Sequence, residues 1–340
     1  MEFQLYTTFP TELETEWNAL LEESLTHVPF LRHEYLDAWW QTRGGGEWPQ
    51  AELAIVAARR AGALVGIAPL FKAVNRNGKP ALLLLGSIEI SDFLDLIVRP
   101  GDLAEFAGEL LAYLAGSPQV PAWQELDCYN LFDSSPSLAA LQAAAKARGW
   151  AYRCELLQQA PYIPLPGDWE TYLAGIDKKQ RHEIRRKMRR ADEMGAAVQV
   201  RFTDDPQRLE DDVEGFMTLM AQDPEKAVFL TPPMRQHMRL VTRCAFEAGC
   251  LQLAFLEING EKAAAYLSFD YLDRMWVYNS GIDQRFIEYS PGWVLLGHLL
   301  RWANENKRSE FDFMRGNEDY KYRFGAIDRH VVRVLITKDS

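Results

Sequence analysis

The chain has 340 residues, 48% of them apolar, and a formal net charge of −11. This length supports two hydrophobic cores, and the acidic balance excludes a protein that binds nucleic acid over its whole surface. The four cysteines show no C-x-x-C pair and no metal-spaced histidine, which predicts neither a disulfide framework nor a metal site. The N-terminus lacks signal-peptide character, and Arg59-Arg60 interrupt the most apolar stretch. We therefore predict a cytoplasmic protein without a membrane span.

Glycine and proline mark the boundaries of the elements in the first half. Two strand-like runs flank the turn Arg60-Ala61-Gly62 and are followed by the apolar runs ALLLLG and DFLDLIV. A helix after Pro100-Gly101 leads to the strand WQELDCYNL, and a helix starting near Ser135-Pro136 leads to AYRCELLQ. This order predicts a hairpin followed by alternating strands and helices.

The second half repeats that order with little residue similarity. The turn Asn259-Gly260 predicts a hairpin, and RMWVYNSG, a helix after Pro291-Gly292, the strand EFDFMR, a short helix and HVVRVLIT follow. Three prolines interrupt both patterns within 160–168. We therefore predict one α/β unit used twice, as domains 1–160 and 161–340.

The segment 178–190, KKQRHEIRRKMRR, departs sharply from the acidic average. It holds eight Lys or Arg against one Glu, a local charge of +7. Ile184 and Met188 fall on one helical stripe, and Arg181 and Arg185 lie on an adjacent one. Like charges at i, i+4 repel unless something negative lies nearby, so we favour an anion-binding helix with Arg181 and Arg185 as ligands. A solvated helix face is the alternative.

Two further features suggest a binding site. Ser290-Pro291-Gly292-Trp293 opens a predicted helix whose free N–H groups suit a phosphate, although an ordinary capped helix has the same sequence. Asp92 and Asp95 lie in an otherwise apolar run, where a carboxylate is uncommon unless it is paired or exposed in a cleft. A strand-edge residue that caps the next loop is the alternative for Asp92.

Read together, EYSPGWVLLGHLLRWANE, FDFMRGNEDYKYRFG, the basic helix and SDFLDLIV resemble the GNAT-type acetyltransferases associated with cellulose and exopolysaccharide synthesis. That family is similar to the Fem-type aminoacyltransferases. The resemblance covers nearly the whole chain. It implies two tandem GNAT-like domains, each a mixed, mostly antiparallel sheet flanked by helices. The acyl donor would bind to the second domain, with the acceptor held between the two. The stretch DQRFIEYSPG departs from the family's R/Q-x-x-G-x-G/A phosphate loop.

The residues of FDFMRGNEDYKYRFG then receive roles. Asp312 could hold or deprotonate an amine, or simply pair with Arg315. Arg315 can bind an anionic carboxylate or phosphate through two parallel hydrogen bonds. The resemblance matches Lys321 to a lysine that stabilises negative charge on the reacting carbonyl or donor phosphate. A plain surface lysine is the alternative interpretation. Tyr320 could protonate the leaving group. The resemblance also places an acceptor-contacting aspartate near Asp92.

Two classes of function remain open. The first is an N-acyltransferase that moves an acyl group from acyl-CoA to an amine, such as one on an envelope or exopolysaccharide precursor. Direct attack by the amine needs no covalent nucleophile, and the sequence holds no evident Ser or Cys triad. Within this class an aminoacyl-tRNA is the alternative donor. No nucleic-acid partner other than tRNA is expected. The second class is a non-catalytic GNAT-like binding module, supported by the missing phosphate loop. The oligomeric state is not indicated.

Overall fold

The computed structural model describes residues 1–193 and 195–338. These residues form two compact units. The first contains Met1–Gln158 and the segment from His330 onward, and the second contains Gln159–Arg329. Each unit is described separately below. No helix within the described ranges is both long and apolar enough to cross a bilayer.

The first unit combines helices with two sheets. Its helices are α1 (Glu14–Glu22), α2 (His33–Thr42), α3 (Leu103–Gly116) and α4 (Ser137–Ala147), with 3-10 turns at Thr11–Leu13 and Pro29–Leu31. Its strands, up to the unit boundary, are β1 (Glu2–Tyr6), β2 (Glu52–Leu53), β3 (Ile55–Arg60), β4 (Ala63–Ala68), β5 (Leu70–Val74), β6 (Pro80–Leu84), β7 (Ile97–Val98), β8 (Glu125–Phe132) and β9 (Ala151–Gln159).

The second unit also combines strands and helices. Its strands are β10 (Tyr162–Pro164), β11 (Val198–Phe202), β12 (Leu251–Ile258), β13 (Glu261–Tyr271), β14 (Arg274–Ile282) and β15 (Glu310–Asp312). Its helices are α5 (Trp169–Gly175), α6 (Lys178–Glu193), α7 (Leu209–Met220), α8 (Pro224–Phe229), α9 (Pro232–Glu247), α10 (Pro291–Glu305) and α11 (Asp319–Arg323), with a 3-10 segment at Gln284–Tyr289. The last strand, β16 (His330–Thr337), returns to the first unit.

The sheets of the first unit have the strand orders β1-β3-β4-β7 and β2-β5-β6-β8-β16-β9. The predicted turn after Arg60 joins β3 to β4, with positive φ at Ala61 and Gly62. β6 and β8 pair in parallel, whereas β5–β6 and β8–β16 are antiparallel. A crossover through α3 links the parallel pair, because parallel neighbours cannot be joined by a tight turn.

A buried ion pair ties β16 into the first unit. The carboxylate of Asp127 on β8 is fully buried and accepts two hydrogen bonds, at 2.7 and 2.8 Å, from the guanidinium of Arg333 on β16. Asn75 donates to the same carboxylate at 2.8 Å. The sequence-based division at residue 160 assigned this strand to the second domain, whereas here it lies between β8 and β9 of the first unit.

The second unit contains a single mixed sheet in the order β10-β15-β14-β13-β12-β11 among its described residues. The predicted Asn259-Gly260 hairpin joins β12 to β13. β14 and β15 are parallel and α10 crosses between them; the other neighbours in this sheet are antiparallel. The apolar side of α10, including Leu295 and Leu299, packs with Met275 and Phe311 of the sheet in a buried core. The predicted mixed α/β class with mostly antiparallel sheets flanked by helices is confirmed.

Candidate active site

The parallel strands β14 and β15 separate at one end of the second unit. Their ladder stops at the pair Trp276–Asp312, but β14 continues to Ile282. A bulge in the β13–β14 ladder lies at the same place, since Leu267 faces Asn279 while Ser268 faces Val277. Bulges redirect backbone groups and are common beside active sites. The result is a notch in which β14 extends beyond the end of its parallel neighbour.

The N-terminus of α10 lies just beyond this extension of β14. Ser290 has φ of 52° and precedes Pro291 at the first helical position, as the sequence predicted. A Cβ on Gly292 would lie 2.5 Å from Cδ1 of Ile282. Gly292 therefore packs closely against the end of the Ile282 side chain. The predicted contact of this helix terminus with a phosphate stays a prediction.

Trp293 continues this helix terminus with a half-buried indole. Its ring lies 4.6 Å from that of Phe324, and its buried Nε1 has no hydrogen-bond partner among the described residues. Nζ of Lys187, on α6, lies 4.1 Å from the ring centroid of Trp293. Lys187 thus places a cation beside the start of α10. The sequence prediction missed it because Lys187 was one of eight cations in the basic segment.

The apolar stripe of the basic helix docks α6 onto α10. Ile184 and Ala191 are buried in the core of the second unit. Met188 packs closely on Gly297 of α10, where an added Cβ would lie 2.9 Å from the methionine sulfur. The amphipathic pattern in the sequence therefore corresponds to a real packing face.

The arginines predicted to bind an anion have partners within the protein. Arg185 forms an ion pair with Glu170 of α5. Arg181 donates from one guanidinium nitrogen to the carbonyls of Leu173 and Ala174, each at 3.3 Å. Another acid, Glu183, accepts two bonds from Arg186. These carboxylates offset the repulsion that had suggested an external anion, so an anion-binding role for Arg181 and Arg185 stays a prediction.

Asp312 is fully buried at the end of β15. Its carboxylate pairs with Arg329 and accepts the backbone N–H of Met314 at 2.7 Å. Arg329 also approaches Glu310 at 3.5 Å. Arg329 lies 17 residues later in the chain, and the predicted pairing of Asp312 with Arg315 stays a prediction. An arginine-bound carboxylate is a weak base, which favours a positioning role for Asp312.

Lys321 is also buried, with 2% of its surface exposed, and is not a surface lysine. Nζ donates to the carbonyls of Arg315 and Gly316, each at 3.0 Å, and approaches Glu318 at 2.8 Å. An ammonium has three donors, so these contacts use all of them. In this arrangement Lys321 holds the loop between β15 and α11. A direct contact with substrate stays a prediction and requires one of these bonds to open.

The loop that Lys321 holds has an unusual backbone. Met314 and Gly316 have φ of 62° and 108°, and the N–H of Gly316 donates to the carbonyl of Gln159 at 3.0 Å. Positive φ at a non-glycine residue persists only where surrounding contacts enforce it. Arg315 lies half-buried between them, three residues after β15 ends at Asp312, so the strand is shorter than the predicted EFDFMR.

Tyr320 is the second residue of α11 and lies mostly within the protein. Its ring contacts Phe313 edge-on at 5.9 Å. Burial, with smaller contributions from Tyr266 and Glu318, raises the pKa of the phenol. A phenol is protonated at neutral pH even at its ordinary pKa, so the raised pKa makes Tyr320 a weaker acid and its role as proton donor stays a prediction.

The predicted acceptor-side aspartates of the first unit have different environments. Asp92 is partly exposed, while Asp95 is fully buried. The carboxylate of Asp95 accepts hydrogen bonds from the hydroxyls of Thr26 and Ser135, both at 2.6 Å, and from the N–H of Leu96 at 2.7 Å. Asp95 therefore joins three segments of the first unit. This geometry favours a structural role over its predicted contact with a substrate.

Replacing Asp95 by alanine is expected to lower the free energy of unfolding by about 2 kcal/mol, because three buried donors lose their acceptor. Asp133→Ala, at an exposed position of the same unit, is the control and should change it by less than about 0.5 kcal/mol. Burial raises the pKa of Asp95, although its hydrogen bonds oppose this. Its contribution to stability is thus fully present below the unfolded pKa and declines as the pH rises through the folded value. Denaturant melts at several pH values test both points, and equal effects of the two substitutions would contradict the assignment.

A small cavity of about 100 Å³ lies along the extension of β14. Ser280, Gly281 and Ile282 form one wall, and Met220 and Lys226 lie opposite. Nζ of Lys226 donates to the carbonyl of Ser280 at 2.7 Å. The sequence interpretation missed this lysine because α8 carries no motif and its approach to β14 depends on tertiary folding.

Comparison with known proteins places this geometry in a known fold. Residues 178–322 match the family model of the acetyltransferase (GNAT) domain. The matched stretch lies inside the second unit and contains α6, α10 and the separating strands. This match supports an acyltransferase. A comparison with curated proteins found no match.

Solved structures share the fold over nearly the whole chain. FemX matches with a TM-score of 0.66 and 12% identity, covering 97% of each chain. A protein of unknown function from Bacteroides thetaiotaomicron matches at 0.63 and 12%, covering 99% of this chain and 100% of the other. L-PGS from Bacillus licheniformis matches at 0.58 and 11%, covering 96% and 91%. At these identities the similarity concerns the fold alone.

Proposed function

We propose that this chain is an N-acyltransferase that moves an acyl group from acyl-CoA to an amine. The observation that carries the proposal is the notch where β14 continues past β15, beside the N-terminus of α10, within the segment matching the GNAT domain. The exposed backbone edge of a strand offers hydrogen bonds to an extended chain, and a helix N-terminus offers N–H groups and partial positive charge to phosphate.

In this proposal, Ser290, Pro291, Gly292 and Trp293 receive the donor's pyrophosphate, with Lys187 as an additional cation. Tyr320, a protonated phenol at neutral pH, donates a proton to the departing thiolate. Lys321 and Asp312 position the loop that carries Arg315. The attacking amine needs only orientation and loss of a proton, so no acyl-enzyme intermediate is required.

The acceptor we propose is an amine on a small molecule or on an envelope or exopolysaccharide precursor. Asp92, partly exposed on the first unit, remains the proposed acceptor contact. A carboxylate there would attract a protonated amine. A cytoplasmic location belongs to the same proposal. The exopolysaccharide assignment rests on the sequence resemblance.

A Fem-type reaction with aminoacyl-tRNA is the second candidate. It is favoured by the stretch before α10, DQRFIEYSPG, which lacks the R/Q-x-x-G-x-G/A loop of acyl-CoA-dependent relatives. The cations of α6 would then face a nucleic-acid backbone, and binding would weaken steeply with salt. A non-catalytic binding module, the third reading, would bind one of these donors without turnover.

Thermal unfolding with each donor distinguishes the candidates. A ligand that binds the folded state at 100 times its Kd stabilises the protein by about 2.7 kcal/mol. We expect CoA and acetyl-CoA to raise Tm, and uncharged or aminoacylated tRNA to have no effect. A rise in Tm with tRNA but not with CoA or acetyl-CoA would identify aminoacyl-tRNA as the donor instead of acyl-CoA. Release of CoA thiol in the presence of candidate amines then separates an enzyme from a binding module.

Lys187→Met should weaken CoA binding about tenfold, since it removes one cation beside α10 while keeping an apolar side chain against Trp293. Lys179→Met is the matched control, because Lys179 is exposed near the opposite end of α6. Calorimetric titration with CoA measures both variants. Equal affinities for the two would remove Lys187 from the donor site.

A further inference from the structure

Lys226 has an unusual position for a lysine on a short surface helix. Every residue of α8 is exposed except Lys226 and Phe229. Lys226 is half-buried and its Nζ reaches across to the carbonyl of Ser280 on β14. Because so little of α8 packs inward, this bond is one of its main attachments to the sheet.

The contacts of Lys226 lie where the proposed donor would run. Ser280 is beyond the last paired residue of β14 with β15, Trp276, and two residues past the bulge near Tyr278. Two residues of a strand span roughly 6.6 Å, which is about the length of a lysine side chain. An acyl-CoA laid along this edge, with its phosphates at α10, would therefore pass within reach of Nζ.

The surroundings of Nζ also make loss of its proton easier than for a solvent-exposed lysine. Burial lowers the pKa of Lys226, although the carboxylates of Asp223 and Glu318 oppose that change. Lysines shift their pKa readily when buried, and the neutral form is the nucleophile. Lys226 is also the only lysine or arginine among the described residues that line this cavity.

We propose that Lys226 is a site of self-acylation, an inference that rests on the proposed use of acyl-CoA. Neutral Nζ attacks the thioester carbonyl, the C–N bond forms and the C–S bond breaks. The CoA thiolate leaves and receives the proton that Nζ loses, giving an amide on Lys226 and free CoA. No other reactant is needed.

The amide would change the charge around the notch. One positive charge disappears beside Asp223 and Glu318, while the remaining N–H can still donate to Ser280. Glu318 is also the carboxylate that contacts Lys321. Acylation of Lys226 by the donor would thus change the electrostatic potential at the loop between β15 and α11.

The test uses the full chain with acetyl-CoA and follows acetylation of each lysine over time by peptide mass spectrometry. Lys226 should be acetylated at least roughly tenfold faster than exposed Lys178 and Lys179, because proximity to bound donor accelerates the reaction. Excess CoA should slow only the reaction at Lys226. Lys226→Arg, which keeps the cation, should abolish the fast adduct.

Parallel calorimetry with CoA separates the two proposals. If CoA binds but Lys226 is acetylated no faster than Lys178, self-acylation is wrong and the proposed function is unaffected. A fast adduct that excess CoA does not slow also overturns it, since the modification then does not come from bound donor. Absence of CoA binding overturns both.

Discussion

Lys321→Met is expected to lower the free energy of unfolding by about 2–4 kcal/mol and to reduce turnover on the order of 100-fold. The substitution leaves the carbonyls of Arg315 and Gly316 without their donor in a buried site, and each such loss costs about 1–3 kcal/mol. The loop that presents Arg315 then loses the contact that fixes its positive-φ backbone. Loss of one positioned charge or donor in a transfer site produces rate effects of this size.

Glu318→Gln is the matched control for Lys321. It neutralises the exposed partner of the same ammonium and leaves both carbonyl contacts in place, so it should cost less than about 1 kcal/mol. Urea titration measures stability, and release of CoA thiol measures turnover. If both variants lose the same stability, the buried contacts of Lys321 are not what holds the loop. If turnover falls while stability and CoA affinity are unchanged, Lys321 acts directly on the reacting groups, as the sequence resemblance implied.

Asp212→Asn should lower the free energy of unfolding by about 3–5 kcal/mol, the range for breaking a buried ion pair. Asp212, on α7, is 1% exposed. It accepts two bonds from Arg201 at 2.7 and 2.8 Å, one from Lys262 at 2.9 Å and one from Thr203 at 2.8 Å. An amide at this place would remove the counter-charge that Arg201 and Lys262 share, leaving Arg201 its ion pair with Glu257, and would turn an N–H group toward other donors. The cluster links α7 to strands β11 and β13.

The neighbouring Asp211 is exposed, so Asp211→Asn should change stability by less than about 0.5 kcal/mol. Burial tends to raise the pKa of Asp212, but bonds from Arg201, Lys262 and Thr203 outweigh it and lower that pKa. The stabilisation is therefore present above the unfolded value, about 3.9, and is lost as the pH falls through the folded value. The difference between wild type and Asp212→Asn should shrink under acid conditions in chemical denaturation. A difference independent of pH would contradict the ionic origin.

The sequence by itself determined the local elements, because their signals are local. Pro291 begins α10 and Asn259-Gly260 turns between β12 and β13, each where the pattern predicted it. The spacing of Ile184 and Met188 also identified the packing face of α6 correctly. Backbone preferences, capping and helical periodicity act over a few residues, so they can be read without knowing the fold.

Only the tertiary structure decided which distant groups meet. Asp312 pairs with Arg329, 17 residues later in the chain, because the fold brings Arg329 to the buried carboxylate. Lys187 reaches Trp293, and Lys226 reaches Ser280, through packing of α6 and α8 against other elements. Burial of a polar side chain, and hence its pKa and its availability to a ligand, is set by these long-range contacts. Residue types and their spacing in the sequence do not predict these long-range contacts.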